Sequence, residues 1–271
     1  AAIILYYCGY HCWVMMSVGD SATAHFHLPP QWLTANGWNT KGAKDDMLNE
    51  VDFPQCSWGT AHVDDASKCP LQYPIAGLED NTIVSIYTQM RQRNRCMNND
   101  FQNIGVNGAR MVASDTLVKA VARDQSSDHP VLLWLSLLGN DVCNGHAGTD
   151  HMSTPDNYYE KAMESLTALD ALLPPGSHIV SPALFNGELL YETMQDQQHP
   201  LGTTYPAFYD WMNCLQESPC WAWLNSDAEA GASGSQRAKE LSEQLAKIEN
   251  EQNFENFKFI YYPVDWNGLF E

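Results

Sequence analysis

The sequence predicts an α/β protein, a parallel sheet flanked by helices, and three features carry that prediction. Short apolar runs at 13–18 and 131–138 read as buried strands, the second as a central strand buried on both faces, and further strands are read at 178–182 and 257–264. Between them lie stretches with helical spacing of apolar residues, so strand and helix alternate as in βαβ units. The first two runs end abruptly in polar turns, Gly19-Asp20-Ser21 and Gly139-Asn140-Asp141, placing polar residues at the carboxyl ends of strands, where open α/β sheets bind ligands.

The elements follow in order. Residues 13–18 read as a buried strand running through the Gly-Asp-Ser turn into a helix start. Residues 31–98 are rich in Gly, Pro, Asn, Asp and Cys with little sustained period, which reads as a long disulfide-tied insertion with some helix near 83–93. Order returns at Asn103-Ile104-Gly105-Val106-Asn107-Gly108 and is followed by a helical pattern over 112–123. A central strand is predicted at 131–138, a helix at 155–173, a strand at 178–182, a helix at 235–250 and a strand at 257–264. Within 235–250, Leu241, Leu245 and Ile248 share an inward face, while Arg237, Lys239, Glu240, Glu243 and Lys247 face solvent.

With 271 residues the chain is long enough for one sizeable core. Its 33 acidic against 14 basic residues give a formal charge of −19, which repels polyanions and argues against a nucleic-acid partner. No apolar run reaches the roughly 18 to 20 residues of a membrane helix. The amino terminus shows no basic region with a small-residue cleavage site, so no signal peptide is read. The eight cysteines form an even set without a zinc-type repeat and favour disulfides in an oxidising compartment. Cys56 with Cys69, and Cys214 with Cys220 around a Ser-Pro turn, are the pairs that can close locally. The sequence contains no N-glycosylation acceptor.

The polar turns carry the chemistry. Ser21 sits just past an apolar strand at a helix start, where the helix amino terminus favours negative charge near the hydroxyl; the plainer reading is that Ser21 caps the helix. Acyl transfer builds negative charge on the former carbonyl oxygen, and fixed N–H groups meet it. Gly108 offers a backbone N–H without a blocking side chain, and Asn140 offers its amide; each also has a plain structural reading, a turn with positive φ and a strand-end cap.

Taken in chain order, Gly19-Asp20-Ser21, Asn107-Gly108 and Gly139-Asn140-Asp141 resemble the three leading blocks of the SGNH (GDSL) hydrolase family. The longer stretches GDSATAHFHLPPQWLTA, FQNIGVNGAR, LGNDVCNG, QQHPLG and MNCLQESPCWAW are similar to the large subunit of the acyloxyacyl hydrolases, the branch that removes secondary acyl chains from bacterial lipopolysaccharide. The resemblance implies a flavodoxin-like three-layer sandwich and a secreted or lysosomal serine esterase. Its substrate would be a lipid or acylated glycolipid, and no cofactor is expected. It also implies that Ser21 attacks the ester, with the N–H groups of Ser21 and Gly108 and the Asn140 side chain forming the oxyanion hole. An upstream small subunit occurs in that branch, and no residues here correspond to it.

The family completes its site with an Asp-x-x-His block near the carboxyl end, and nothing after Val264 matches it. No catalytic histidine or aspartate is therefore assigned, and residues 1–271 are read as one hydrolase domain short of that block and nearly inactive by itself. The literal Asp196-Gln197-Gln198-His199 precedes a helix and a strand and reads as a loop contact. His25 and His27, if helical, would point about 200° apart. His146, Asp150 and His151, like Cys8, His11 and Cys12, do not complete a metal set. Arg91, Arg93, Arg95 and Lys119 are the basic residues that a phosphorylated substrate would need. Trp221, Trp223, Leu224, Phe208 and Tyr209 serve either as core or as an acyl groove. The alternatives to the lipase are a non-catalytic lipid- or glycan-binding module with the same fold, and an esterase for acetylated sugars.

Overall fold

The computed structural model describes residues 12–26, 52–63, 69, 83–199 and 201–269. Five strands, β1 (Val14–Gly19), β2 (Phe101–Gly105), β3 (Val131–Ser136), β4 (Ser177–Pro182) and β5 (Phe257–Tyr262), form one all-parallel sheet in the order β2-β1-β3-β4-β5. The α-helices among the described residues are α1 (Ser21–Ala24), α2 (Ile86–Arg93), α3 (Ser114–Val118), α4 (Pro155–Asp170), α5 (Glu188–Met194), α6 (Tyr205–Leu215) and α7 (Ala228–Glu251).

The inner strands are apolar because both of their faces are covered. Every residue of β1 is buried, and successive side chains enter opposite layers. Val14, Met16 and Val18 pack with Val131, Leu133, Leu135 and Ile179 beneath Tyr158, Ala162, Leu166 and Leu169 of α4 and Ala238, Leu241, Leu245 and Ile248 of α7. The helical residues recur at three and four, which keeps them on one face. On the other side, Met15, Leu132 and Val180 lie with Tyr87 and Met90 of α2. The result is the three-layer sandwich that the sequence predicts.

Several boundaries differ from the sequence reading, each for a local reason. The helix expected over 112–123 is a single 3₁₀ turn, Met111–Ala113, followed by α3, which ends at Val118. Helix α7 starts seven residues earlier than expected, because Asp227 caps it by accepting the Glu229 N–H at 2.9 Å. Its first turns, rich in Gly, Ala and Ser, carry no large apolar side chain to mark a helical face, yet Ala230, Gly231 and Gly234 are buried there. Helices α5 and α6 were not anticipated: α5 buries none of its residues and α6 only Tyr209, so neither shows a strong inward stripe.

Among the described residues three disulfides join Cys12 to Cys96, Cys56 to Cys69 and Cys143 to Cys220. The local Cys56–Cys69 bridge matches the expectation; the Cys214–Cys220 pairing does not. Trp221 N–H donates to Asn144 O at 2.7 Å, which draws Cys220 beside Cys143, while Cys214 stays exposed and unbonded in the last turn of α6. Cys8 lies outside the described residues. No helix among the described residues is long and apolar enough to cross a membrane.

Leu133 lies at the centre of the sheet with none of its surface exposed. Leu133→Ala should therefore lower the unfolding free energy by about 2–5 kcal/mol, read as a lower denaturant midpoint with an unchanged slope.

Candidate active site

The strand order reverses direction at β1, which has β2 on one side and β3 on the other. Crevices at the carboxyl ends of strands beside such a reversal are where open α/β sheets hold ligands. All three sequence-predicted residues lie there: Ser21 follows β1, Gly108 follows β2 and Asn140 follows β3.

Ser21 opens α1, and Asp20 before it is the cap. One carboxylate oxygen of Asp20 accepts the Ala22 N–H at 3.0 Å and the other accepts the Leu138 N–H at 2.7 Å. The backbone N–H of Asp20 donates to Ser136 O at 3.3 Å. One side chain thus fastens the serine turn to the loop carrying Asn140. Burial pushes the Asp20 carboxyl above its ordinary 3.8, opposed by the N–H groups of Leu138, Ala22, Asp20 itself and Gly139. The cap is therefore Asp20, and Ser21, half-buried, is the first helical residue. That removes the capping explanation for Ser21.

The second loop is fixed to the first by backbone. Val106 N–H donates to Gly19 O at 3.0 Å, and Ala109 N–H closes a turn on Val106 O at 3.0 Å. Gly108 inside that turn has φ +75° and is exposed, a conformation that strains residues with a side chain. The neighbouring Asn107 amide donates to Asp52 at 2.8 Å.

The third loop reaches the second through Asn140, whose amide donates one hydrogen to Ala109 O at 3.0 Å. An amide nitrogen has two hydrogens, so one is left to donate elsewhere. Asp141 completes the seam: its oxygens accept Met111 N–H and the Ser153 hydroxyl, both at 2.6 Å, with Arg110 Nε at 3.8 Å. Burial raises its carboxyl above 3.8 against the Ser153 and Met111 hydrogen bonds and the Arg110 charge. Behind these loops Tyr158 is fully buried, and its hydroxyl is pushed well up by burial and then by the charges of Asp141, Tyr261 and Asp20.

Other sequence candidates lie elsewhere. His199 is buried, stacks on Phe208 at 3.9 Å and accepts the Leu201 N–H on Nδ1 at 3.2 Å. Burial lowers its pKa, and its ring is held in an aromatic contact. His25 ends α1 in the left-handed region at φ 55°, so the expected helix through His27 stops short, and His27 lies outside the described residues. The His146 and His151 rings stand 4.5 Å apart, but no group of three metal-ligating side chains occurs among the described residues. Cys12 is committed to a disulfide, and Cys8 and His11 lie outside the described residues.

Arg91, Arg93 and Arg95 occupy the end of α2 and the turn beside the Cys12–Cys96 bridge, and Lys119 pairs with Asp115. The arginines therefore lie toward the amino ends of the strands, not beside Ser21. Trp223 and Tyr209 are buried, and Trp221 and Leu224 pack on the main core. This aromatic group is mainly core.

A parallel sheet with Ser21 at its switch point, beside the loops that carry Gly108 and Asn140, defines a class: α/β proteins that hold a ligand at the carboxyl ends of their strands. Residues 15–270 match the family model described as GDSL-like Lipase/Acylhydrolase, and the chain belongs to that family. It is similar to the acyloxyacyl hydrolases of Oryctolagus cuniculus (39% identical over 265 residues), Mus musculus (35% over 263) and Homo sapiens (34% over 263). Each comparison covers 94% of this chain and 44% of the relative, so the chain spans less than half the length of these relatives.

The buried carboxyls make stability depend on acid pH. With its pKa raised in the fold, Asp141 keeps a proton that the unfolded chain releases, so its contribution is present below 3.8 and is lost as pH rises through the raised value. Asp141→Asn preserves the shape and removes that linkage. Denaturant titrations across the acid range should show the variant losing less stability per pH unit than the wild type; identical slopes would show that Asp141 titrates alike in both states.

Proposed function

We propose that this protein is a serine ester hydrolase acting on fatty acyl esters, with Ser21 as nucleophile. The Ser21 and Gly108 N–H groups and the Asn140 amide form its oxyanion hole. The observation that carries the reading is the seam of hydrogen bonds joining the three loops. The Asp20 carboxylate spans the serine turn and Leu138, and Asn140 spans the third loop and Ala109, next to Gly108.

In the reaction, Ser21 Oγ adds to the ester carbonyl carbon as a base takes its proton. The carbonyl oxygen becomes an oxyanion and accepts the three N–H donors. Collapse expels the alcohol, which takes the proton back from the base, and leaves an acyl-serine that water hydrolyses by the same steps. The proposal places the base outside the described residues. One hydrolase domain carries this chemistry.

The relatives' name supports an acyloxyacyl linkage, a fatty acid esterified to the hydroxyl of another acyl chain, and the motif resemblance makes lipopolysaccharide the substrate of choice. Disulfides among the described residues support a secreted or lysosomal location.

In the full-length natural protein, a fluorophosphonate probe should label Ser21, located by mass spectrometry, and Ser21→Ala should abolish labelling. A folded protein that resists the probe would leave a binding module as the better account. Asn140→Ala should lower kcat by about 10²–10³. A dodecanoyl ester should be turned over faster than the matching acetyl ester, and the reverse order would identify a sugar acetylesterase.

A further inference from the structure

Helix α1 has only four residues, and His25 turns out of it at φ 55°. The carbonyl of Thr23 therefore has no helical N–H to accept, the usual state of carbonyls in a last turn. Two side chains distant in sequence take that place: Ser57 Oγ donates to Thr23 O at 2.8 Å, and Asn103 Nδ2 donates to it at 2.9 Å. Ser57 has none of its surface exposed and is adjacent to the Cys56–Cys69 bridge.

Asn103 has two further bonds. Its amide also reaches Thr60 Oγ1 at 2.7 Å, and its Oδ1 accepts the Gly105 N–H at 2.9 Å. Strand β2 is the sheet edge, and the Asn103 carbonyl supplies the Gly105 N–H with a partner inside its own strand. Gly105 is where α1 rests: a Cβ there would lie 2.3 Å from Ala24 N, so the glycine is required by the approach. One residue later, Val106 N–H begins the loop that carries Gly108.

We infer that Asn103 and Ser57 are positioning residues of the acyl-transfer reaction, clamping the Thr23 carbonyl so that α1 holds Ser21 in register with the Gly108 loop. Neither side chain reaches the reacting atoms. Asn103 acts on both sides of the site at once, on α1 through Thr23 and on the oxyanion loop through Gly105, while Ser57 ties the same carbonyl to the disulfide-bridged segment. The inference rests on the roles given to Ser21 and Gly108 above.

Asn103→Asp tests it in the full-length natural protein. The carboxylate still accepts the Gly105 N–H but faces the Thr23 carbonyl without a proton to donate. The partners Thr23, Thr60 and Gly105 carry no group that titrates near neutrality, so the introduced carboxyl is the titrating member of the clamp. At neutral pH, kcat per labelled Ser21 should fall roughly 10- to 100-fold with KM little changed, the scale of a misplaced reacting group. On acidification the carboxyl regains a donor, and the ratio of variant to wild-type kcat should climb. Ser57→Ala, which removes one of two donors, should give a smaller fall in kcat with the same KM and no pH-dependent recovery. It decides the matter if the Asp variant does not fold.

Wild-type protein labelled at Ser21, together with folded variants that match its kcat at every pH, would overturn the clamp. A fall accounted for entirely by fewer labelled molecules would do the same. Wild-type protein that is not labelled at Ser21 would instead remove the reading on which the clamp depends.

Discussion

A single carboxylate holds the candidate site together. Asp20 is 3% exposed, and each of its oxygens meets a backbone N–H, one in its own turn and one 118 residues away in sequence. Burying a charge in this way is unfavourable unless hydrogen bonds replace the lost water, which is why its carboxyl is raised even with N–H groups around it. The arrangement makes the start of α1 and the start of the third loop one rigid unit. A neutral or shorter side chain at this position would leave Leu138 N–H and the first turn of α1 to find other partners.

The same device recurs across the site. Asp141 gathers Met111, Ser153 and Arg110, Asn140 gathers Ala109, and Asn103 gathers Thr23, Thr60 and Gly105. Loops at the end of a parallel sheet have no further ladder to satisfy their backbone groups, so side chains must do it. Here those side chains run from one loop to the next. Catalysis by acyl transfer needs that property more than any other, because oxyanion donors act only when they are already in place. The disulfides serve the same end: Cys143–Cys220 lies three residues beyond Asn140, and Cys56–Cys69 adjoins Ser57.

How much was legible in the sequence follows from the range of the interactions. Strands β1 and β3 were readable because burial on both faces leaves continuous apolar runs, and the edge strand β5 because buried Phe257 and Phe259 flank exposed Lys258 in strand alternation. Gly108 and Asn140 were singled out because their short blocks resemble the family's, and both lie a few residues beyond a strand end, a local arrangement. Helices α5 and α6 escaped because α5 buries none of its side chains and α6 only Tyr209, leaving little periodicity to find. The start of α7 escaped because small residues that pack closely look like loop. The Cys143–Cys220 bridge and the clamp of Ser57 and Asn103 on Thr23 join residues 77, 34 and 80 positions apart. No local pattern announces such contacts; they exist only once the sheet has assembled.

The central claim is geometric: the Ser21 hydroxyl faces an oxyanion position shared by three N–H donors. The most direct measurement is a crystal structure of the full-length natural protein carrying a phosphonate adduct. The account predicts phosphorus bonded to Ser21 Oγ and one phosphonyl oxygen about 2.7–3.1 Å from Ser21 N, Gly108 N and Asn140 Nδ2. An adduct on another residue, or one on Ser21 whose oxygen points away from Gly108 and Asn140, would contradict it.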